Sequence, residues 1–203
     1  IREFIEKRKN DRIGMVAFSA LPYSVAPLTL DHSWLVQRMD GLRTGMLEDG
    51  TAIGDAIASA VNRLRDSEAK SRAVILVTDG ENNRGELTPE NAAQAAAALG
   101  IKIYTIGIGG GLPVRQGFFS QAPQQIDTTV LNQVAQISNG RFFRATDLES
   151  LKEVYDTIDQ LEKTEIEMTQ FTRYEETAQS WLIAAALFLT LEKLLSLTRF
   201  GRL

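Results

Sequence analysis

The sequence predicts an α/β domain, doubly wound on a mostly parallel sheet with helices on both faces. Short apolar runs alternate with amphipathic stretches of about a dozen residues, the pattern of repeated strand and helix. The run Ala73 to Val77 (AVILV) has no polar alternation, as expected of a central parallel strand covered on both faces. Two polar segments, Asp49 to Asp55 and Thr78 to Glu81, fall where open α/β sheets collect ligands, outside the carboxyl ends of strands.

In chain order, Arg2 to Asn10 (REFIEKRKN) reads as the tail of an amphipathic helix with no cap before it. With Ile1 in place of methionine, this leads us to expect truncation at the N-terminus. Arg12 to Ser19 reads as a strand, and Pro22 to Leu28, with proline near both ends, as an edge strand or hairpin arm. Asp31 is placed to cap a helix over Ser33 to Leu42. Ile53 to Leu64 puts Ile53, Ile57, Ala60, Val61 and Leu64 on one helical face. Pro89 to Leu99 is an alanine-rich helix stopped by Gly100, and Ile101 to Ile108 is a strand. Gly109 to Ile126 lacks periodicity and reads as a surface insertion. Asp127 is placed to cap a helix through Ile137; Asn139-Gly140 turns the chain into a strand over Arg141 to Arg144, and Leu148 to Leu161 is a closing helix.

Beyond Thr164 the character changes. Glu165 to Arg173 (EIEMTQFTR) alternates like an extended connector, and Thr177 to Leu191 carries no charge. Continued across Glu192-Lys193 to Thr198, the apolar segment makes about 33 Å of helix at ~1.5 Å per residue, enough to cross a bilayer. Trp181 at one end and Arg199 and Arg202 at the other fit an aromatic anchor and a positive cytoplasmic flank. The expected organisation is a domain over 1–162, a connector over 163–176, a transmembrane helix over 177–198 and a basic tail. The domain then lies on the non-cytoplasmic side.

Composition removes several chemistries. Among 203 residues there is no cysteine and one histidine, His32, so disulfides, thiolate zinc sites and multi-histidine sites are excluded. A net charge of −4 argues against nucleic acid as a partner. Oxygen ligands remain. Asp79 offers a carboxylate and Thr51 a hydroxyl, hard donors suited to Mg²⁺, with Asp55 and Glu81 close enough in sequence to tune the charge. Taken singly, Asp79-Gly80 reads better as a turn and Thr51 better as a helix N-cap. Gly107, Gly109, Gly110 and Gly111 do not make a phosphate loop, since no helix follows promptly and no Gly-Lys-Ser/Thr occurs. His32 reads as a surface or cap residue, and Lys7-Arg8-Lys9 as a solvated helix face.

Three motifs taken together, GTAIGDA at 50 to 56, VILVTDGEN at 74 to 82 and IYTIGIG at 103 to 109, resemble the von Willebrand factor type A domain over about residues 1 to 162. The segment DRIGMVAFSALPYSVAPLTLD followed by GTAIGDAI, with a terminal membrane helix, is similar to bacterial aerotolerance (Bat-type) proteins of the inner membrane. The resemblance implies a metal-ion-dependent adhesion site (MIDAS) in which Thr51 and Asp79 are ligands, and a non-enzymatic module that binds a protein partner through Mg²⁺. Other Bat-type proteins and a MoxR-type AAA+ ATPase are the implied partners; the ATPase is cytoplasmic, so contact would pass through membrane segments.

The family's site also takes an Asp-x-Ser-x-Ser segment at the end of its first strand, which does not occur here. Asp31-His32-Ser33 begins like it but continues Trp34-Leu35. The expectation is a domain lacking its first strand, whose two remaining ligands hold Mg²⁺ weakly. The rival readings are a Mg²⁺-dependent hydrolase centred on Asp79 and a metal-free scaffold.

Overall fold

The elements form where the apolar runs and caps fall. This computed structural model describes residues 1–43, 45–46, 48–109, 128–171, 181 and 187–194. The chain divides into two units, Ile1–Thr164 and Glu165–Leu203. The elements are α1 (Arg2–Lys7), β1 (Ile13–Phe18), β2 (Pro22–Thr29), α2 (His32–Asp40), α3 (Ile53–Leu64), β3 (Ala73–Thr78), α4 (Pro89–Ala98), β4 (Lys102–Ile108), α5 (Thr128–Ile137), β5 (Phe142–Ala145) and α6 (Leu148–Phe171). Asp31 caps α2 as expected, its carboxylate accepting from the Trp34 N–H at 2.9 Å. Thr88 and Pro89 start α4 in the same way, with a hydroxyl accepting from the Asn91 N–H and proline in the first turn.

Strands β3, β4 and β5 form a parallel sheet in that order, with Val74 opposite Ile103 and Ile106 opposite Phe143. Alternation along β4 sends its side chains to two cores. Ile103 joins Ile53, Ile57, Val61 and Leu131 beneath α3, α4 and α5. Tyr104 and Ile106 join Val154, Tyr155 and Ile158 of α6 on the other face, with Phe4 of α1 against Tyr155 at 4.8 Å between ring centroids. The α/β fold with a parallel sheet between helices is therefore present.

β1 and β2 pair antiparallel, as expected of a hairpin arm, in a separate two-stranded sheet. One expectation about the sheet is corrected: among the described residues β3, expected to be central, lies at an edge with β4 in the middle. Its apolar run has only β4 as a neighbour, and Val74, Ile75 and Val77 stay half-buried. The outer edges carry the usual protection against strand addition: β2 contains Pro22 and Pro27, and β5 is four residues long with Arg144 exposed. Among the described residues, the free edges of β1 (IGMVAF) and β3 (AVILVT) have neither proline nor charge.

The closing helix is also longer than read. It continues past Leu161 to Phe171, so the segment expected to begin an extended connector is helical. Leu161 to Phe171 contains no glycine or proline and is rich in Glu, Lys, Met and Gln, so nothing in it stops a helix. Of the Lys7-Arg8-Lys9 run, Lys7 and Lys9 are exposed as a solvated face requires, and Arg8 departs from that expectation. Lys7 Nζ lies 3.0 Å from Asp156, and Arg8, with 15% of its side chain exposed, stacks over Phe4 and pairs with Asp11 and Asp159. These contacts fasten α1 to α6. Buried Glu162 accepts hydrogen bonds from the hydroxyls of Ser71 and of Tyr104, the latter at 2.5 Å, with Lys102 at 3.5 Å.

Among the described residues no helix is long and apolar enough to cross a membrane. Most of 177–198 lies outside the described residues, as do the Asp127 cap and the insertion after Gly109.

Burial pushes the Tyr155 phenol from its ordinary 10.0 up to about 12. The unfolded chain ionises this group first, so its contribution to stability is complete below pH 10.0 and is lost as pH rises towards about 12. The Tyr104 phenol is raised as well, by burial and by its hydrogen bond to Glu162, so ultraviolet phenolate titration should show a late-ionising class that contains both tyrosines; replacing Tyr155 with Phe should remove its share of that class and leave that of Tyr104.

Candidate divalent-cation site

The segment entering α3 is fastened on both sides. Towards the β1–β2 turn, the Ala52 N–H donates to the Ser19 carbonyl at 2.7 Å, the Ala20 N–H to the Glu48 carbonyl at 3.2 Å, and the Ser19 hydroxyl to that same Glu48 carbonyl. Towards the loop after β3, Thr51 is gripped through its backbone. Its N–H donates to Asn83 Oδ1 at 2.9 Å, and its carbonyl accepts from the N–H groups of Asn83 and Arg84 at 3.1 and 3.3 Å. The Ile53 N–H donates to Asn82 Oδ1 at 2.8 Å. The residue that follows β1 and the loop that follows β3 therefore both bond to the Thr51–Ile53 segment.

Asp55, expected near the metal, has another position. Its two carboxylate oxygens accept the N–H groups of Glu86 and Leu87 at 3.1 and 2.9 Å, which binds the first turn of α3 to the β3 loop. Gly85, at φ +103, turns the chain so that both N–H groups can point there. Gly54 permits the approach from the helix side, since a Cβ on it would sit 2.0 Å from the Leu87 carbonyl oxygen.

Within this block, the alternatives left open for Thr51 and Asp79 separate. Residue Ala52, not Thr51, is the N-cap of α3, and the Thr51 hydroxyl makes no hydrogen bond among the described residues. The turn after β3 is closed by the buried Thr78 hydroxyl, which accepts the Gly80 N–H at 3.2 Å. The Asp79 carboxylate is exposed and unpaired among the described residues. A turn and a cap thus account for neither side chain. Glu81 is exposed.

His32 starts α2, with Nε2 2.9 Å from the Asp11 carbonyl, and takes no part. Gly107 lies within β4; Gly109 donates its N–H to the Ala145 carbonyl, and Gly110 and Gly111 lie outside the described residues. Asp31 is spent on its cap, so Asp31-His32-Ser33 is not the missing ligand segment. Sequence reasoning missed Asn82, Asn83 and Ser19. The only sign was a pair of asparagines, residues whose side chains bond to nearby backbone, just after Thr78-Asp79-Gly80.

The donor set, one neutral hydroxyl and one carboxylate, suits a hard divalent cation that keeps most of its water. Among the described residues no group of three or more acidic or histidine side chains gathers to hold a metal. The fit is to a two-ligand, largely hydrated ion.

An α/β sheet with a hydroxyl and a carboxylate free at its ligand end defines the class. Residues 1–157 match the von Willebrand factor type A domain, and the chain belongs to that family. An uncharacterized protein of Borreliella burgdorferi is 33% identical over 155 residues, covering 72% of this chain and 46% of that protein. The chain spans about half the length of the curated relatives it matches most strongly. Among solved structures, BatB of Bacteroides thetaiotaomicron is 25% identical with a TM-score of 0.67, covering 80% of this chain and 84% of that one. An aerotolerance-related membrane protein of Bacteroides fragilis is 22% identical with a TM-score of 0.64 over 77% and 82% of the two chains. Proximal thread matrix protein 1 of the mussel byssus, with a zinc-occupied MIDAS motif, is 21% identical with a TM-score of 0.60 over 79% of this chain and 38% of that one. These last two likenesses establish the fold alone.

Because Gly54 packs against a backbone carbonyl, Gly54→Ala should destabilise the domain by about 1–3 kcal/mol or more, as overpacking does. Denaturant titration reads the loss; a variant as stable as the parent would mean that the α3 and β3 loops are not in contact.

Proposed function

We propose that this chain is the adhesion module of a membrane-anchored Bat-type protein, binding a protein partner through Mg²⁺ at Thr51 and Asp79. The observation that carries the reading is a hydroxyl and a carboxylate left without a hydrogen bond among the described residues, on two loops locked together by hydrogen bonds to the Thr51 and Ile53 backbone. A cation part-neutralised by one carboxylate retains positive charge and exchangeable positions, so it can accept a carboxylate from a partner. Thr51 and Asp79 hold the ion, while Asn82, Asn83 and Asp55 hold Thr51 and Asp79 in register.

The unprotected edges of β1 and β3, each strand having one neighbour among the described residues, support a further strand in the sheet. Its carboxyl end would arrive beside Thr51 and Asp79, where an Asp-x-Ser-x-Ser segment completes the MIDAS. For the membrane helix over 177–198 the support is the described helical stretch 187–194, where Leu187, Phe188, Leu189, Leu191 and Leu194 are all exposed. The bacterial inner membrane, an extracytoplasmic domain, and other Bat-type proteins with a MoxR-type ATPase as partners follow from the family resemblance. Of the two carboxylates a hydrolase could add to Asp79, Asp55 is committed to two backbone N–H groups, which leaves Glu81 as its one candidate.

Isothermal titration of the full chain with Mg²⁺ and Mn²⁺ should show weak binding that Asp79→Ala abolishes. Binding unchanged in the variant would remove Asp79 from the site. Mg²⁺-dependent phosphatase turnover lost in Asp79→Ala would favour the hydrolase instead. Membrane flotation should separate the full chain from one ending at Glu175; equal behaviour would refute the span.

A further inference from the structure

We propose that Asn82 and Asn83 are positioning residues for the cation site, setting its affinity without touching the ion. The proposal rests on the reading of Thr51 and Asp79 as ligands.

A helix start needs oxygen acceptors for its first N–H groups, and the residue just before the helix usually supplies one from its own side chain. Here the N-cap is Ala52, which has no side-chain oxygen. The acceptor comes from Asn82, 29 residues away in sequence, whose Oδ1 takes the Ile53 N–H at 2.8 Å. Two residues earlier, ahead of the helix, Asn83 takes the Thr51 N–H at 2.9 Å while its own N–H returns to the Thr51 carbonyl at 3.1 Å. The polar demand of the helix start is therefore met from the Asp79 loop.

Two consequences follow. The Thr51 hydroxyl, the nearest local oxygen and a natural cap, is released from capping and left free for a ligand. Thr51 and Asp79 are also tied into one unit, because Asn82 and Asn83 follow Asp79 by three and four residues on the same loop. Without the asparagine acceptors, the start of α3 would recruit the Thr51 hydroxyl for itself, and the two donors would move independently.

The test uses the full chain, with Mn²⁺ as the probe and amide hydrogen exchange without metal as a second readout. Asn82→Ala and Asn83→Ala should each weaken Mn²⁺ binding by about 10-fold or more, the usual cost of removing a group that orients a ligand. Exchange should accelerate at Ile53 in the first variant and at Thr51 in the second. Asn82→Asp and Asn83→Asp keep the accepting oxygen and should restore both protection and affinity to the parent's level or above. Unchanged exchange in the alanine variants overturns the proposal, as does failure of the aspartate variants to restore it. If the parent binds no Mn²⁺, the ligand reading fails while exchange alone still decides whether the asparagines hold the loop.

Discussion

Helix α3 buries Ile53, Ile57 and Val61 by packing on β1 and on one face of the parallel sheet at once, and the remaining geometry follows from that burial. Its apolar face meets Phe18 of β1, Leu76 of β3 and the alanines of α4 in one cluster. Each aliphatic side chain so removed from water is worth roughly 1.5–3 kcal/mol, far more than the exposed ion pairs elsewhere. With the helix axis fixed, its first turn must pass against the loop after β3, and only a residue without Cβ fits at position 54. The site loops are close because the core is packed.

The opposite face is secured by different means. Tyr155 and Phe4 stack, Arg8 covers Phe4, and the charges of α1 meet those of α6 around them. Glu162 is buried with the hydroxyls of Ser71 and Tyr104 and the ammonium of Lys102, so its charge is met by three donors. The N-terminal helix is short, and these partners rather than its own hydrogen bonds keep it in place.

What the sequence made legible was local. The Asp31 cap, the apolar face of α3 and the runs that became β1, β3 and β4 each depend on residues within a turn or a strand of one another. Thr51 and Asp79 were legible because three motifs occur together in order. The position of β3 at an edge was not, since AVILV looks the same whether one neighbour is present or two. The extra turns of α6 were hidden by the apparent alternation of Glu165 to Met168, which a helix accommodates equally well. The asparagine acceptors and the buried Glu162 were invisible for another reason: their partners lie tens of residues away, and no periodicity encodes them.

The grip on Thr51 passes entirely through its peptide N–H and carbonyl, groups that every residue except proline possesses. Its side chain contributes nothing to the fastening. Position 51 is thus interchangeable in a way that positions 54, 82 and 83 are not: its side chain can change while the loops around it stay in place.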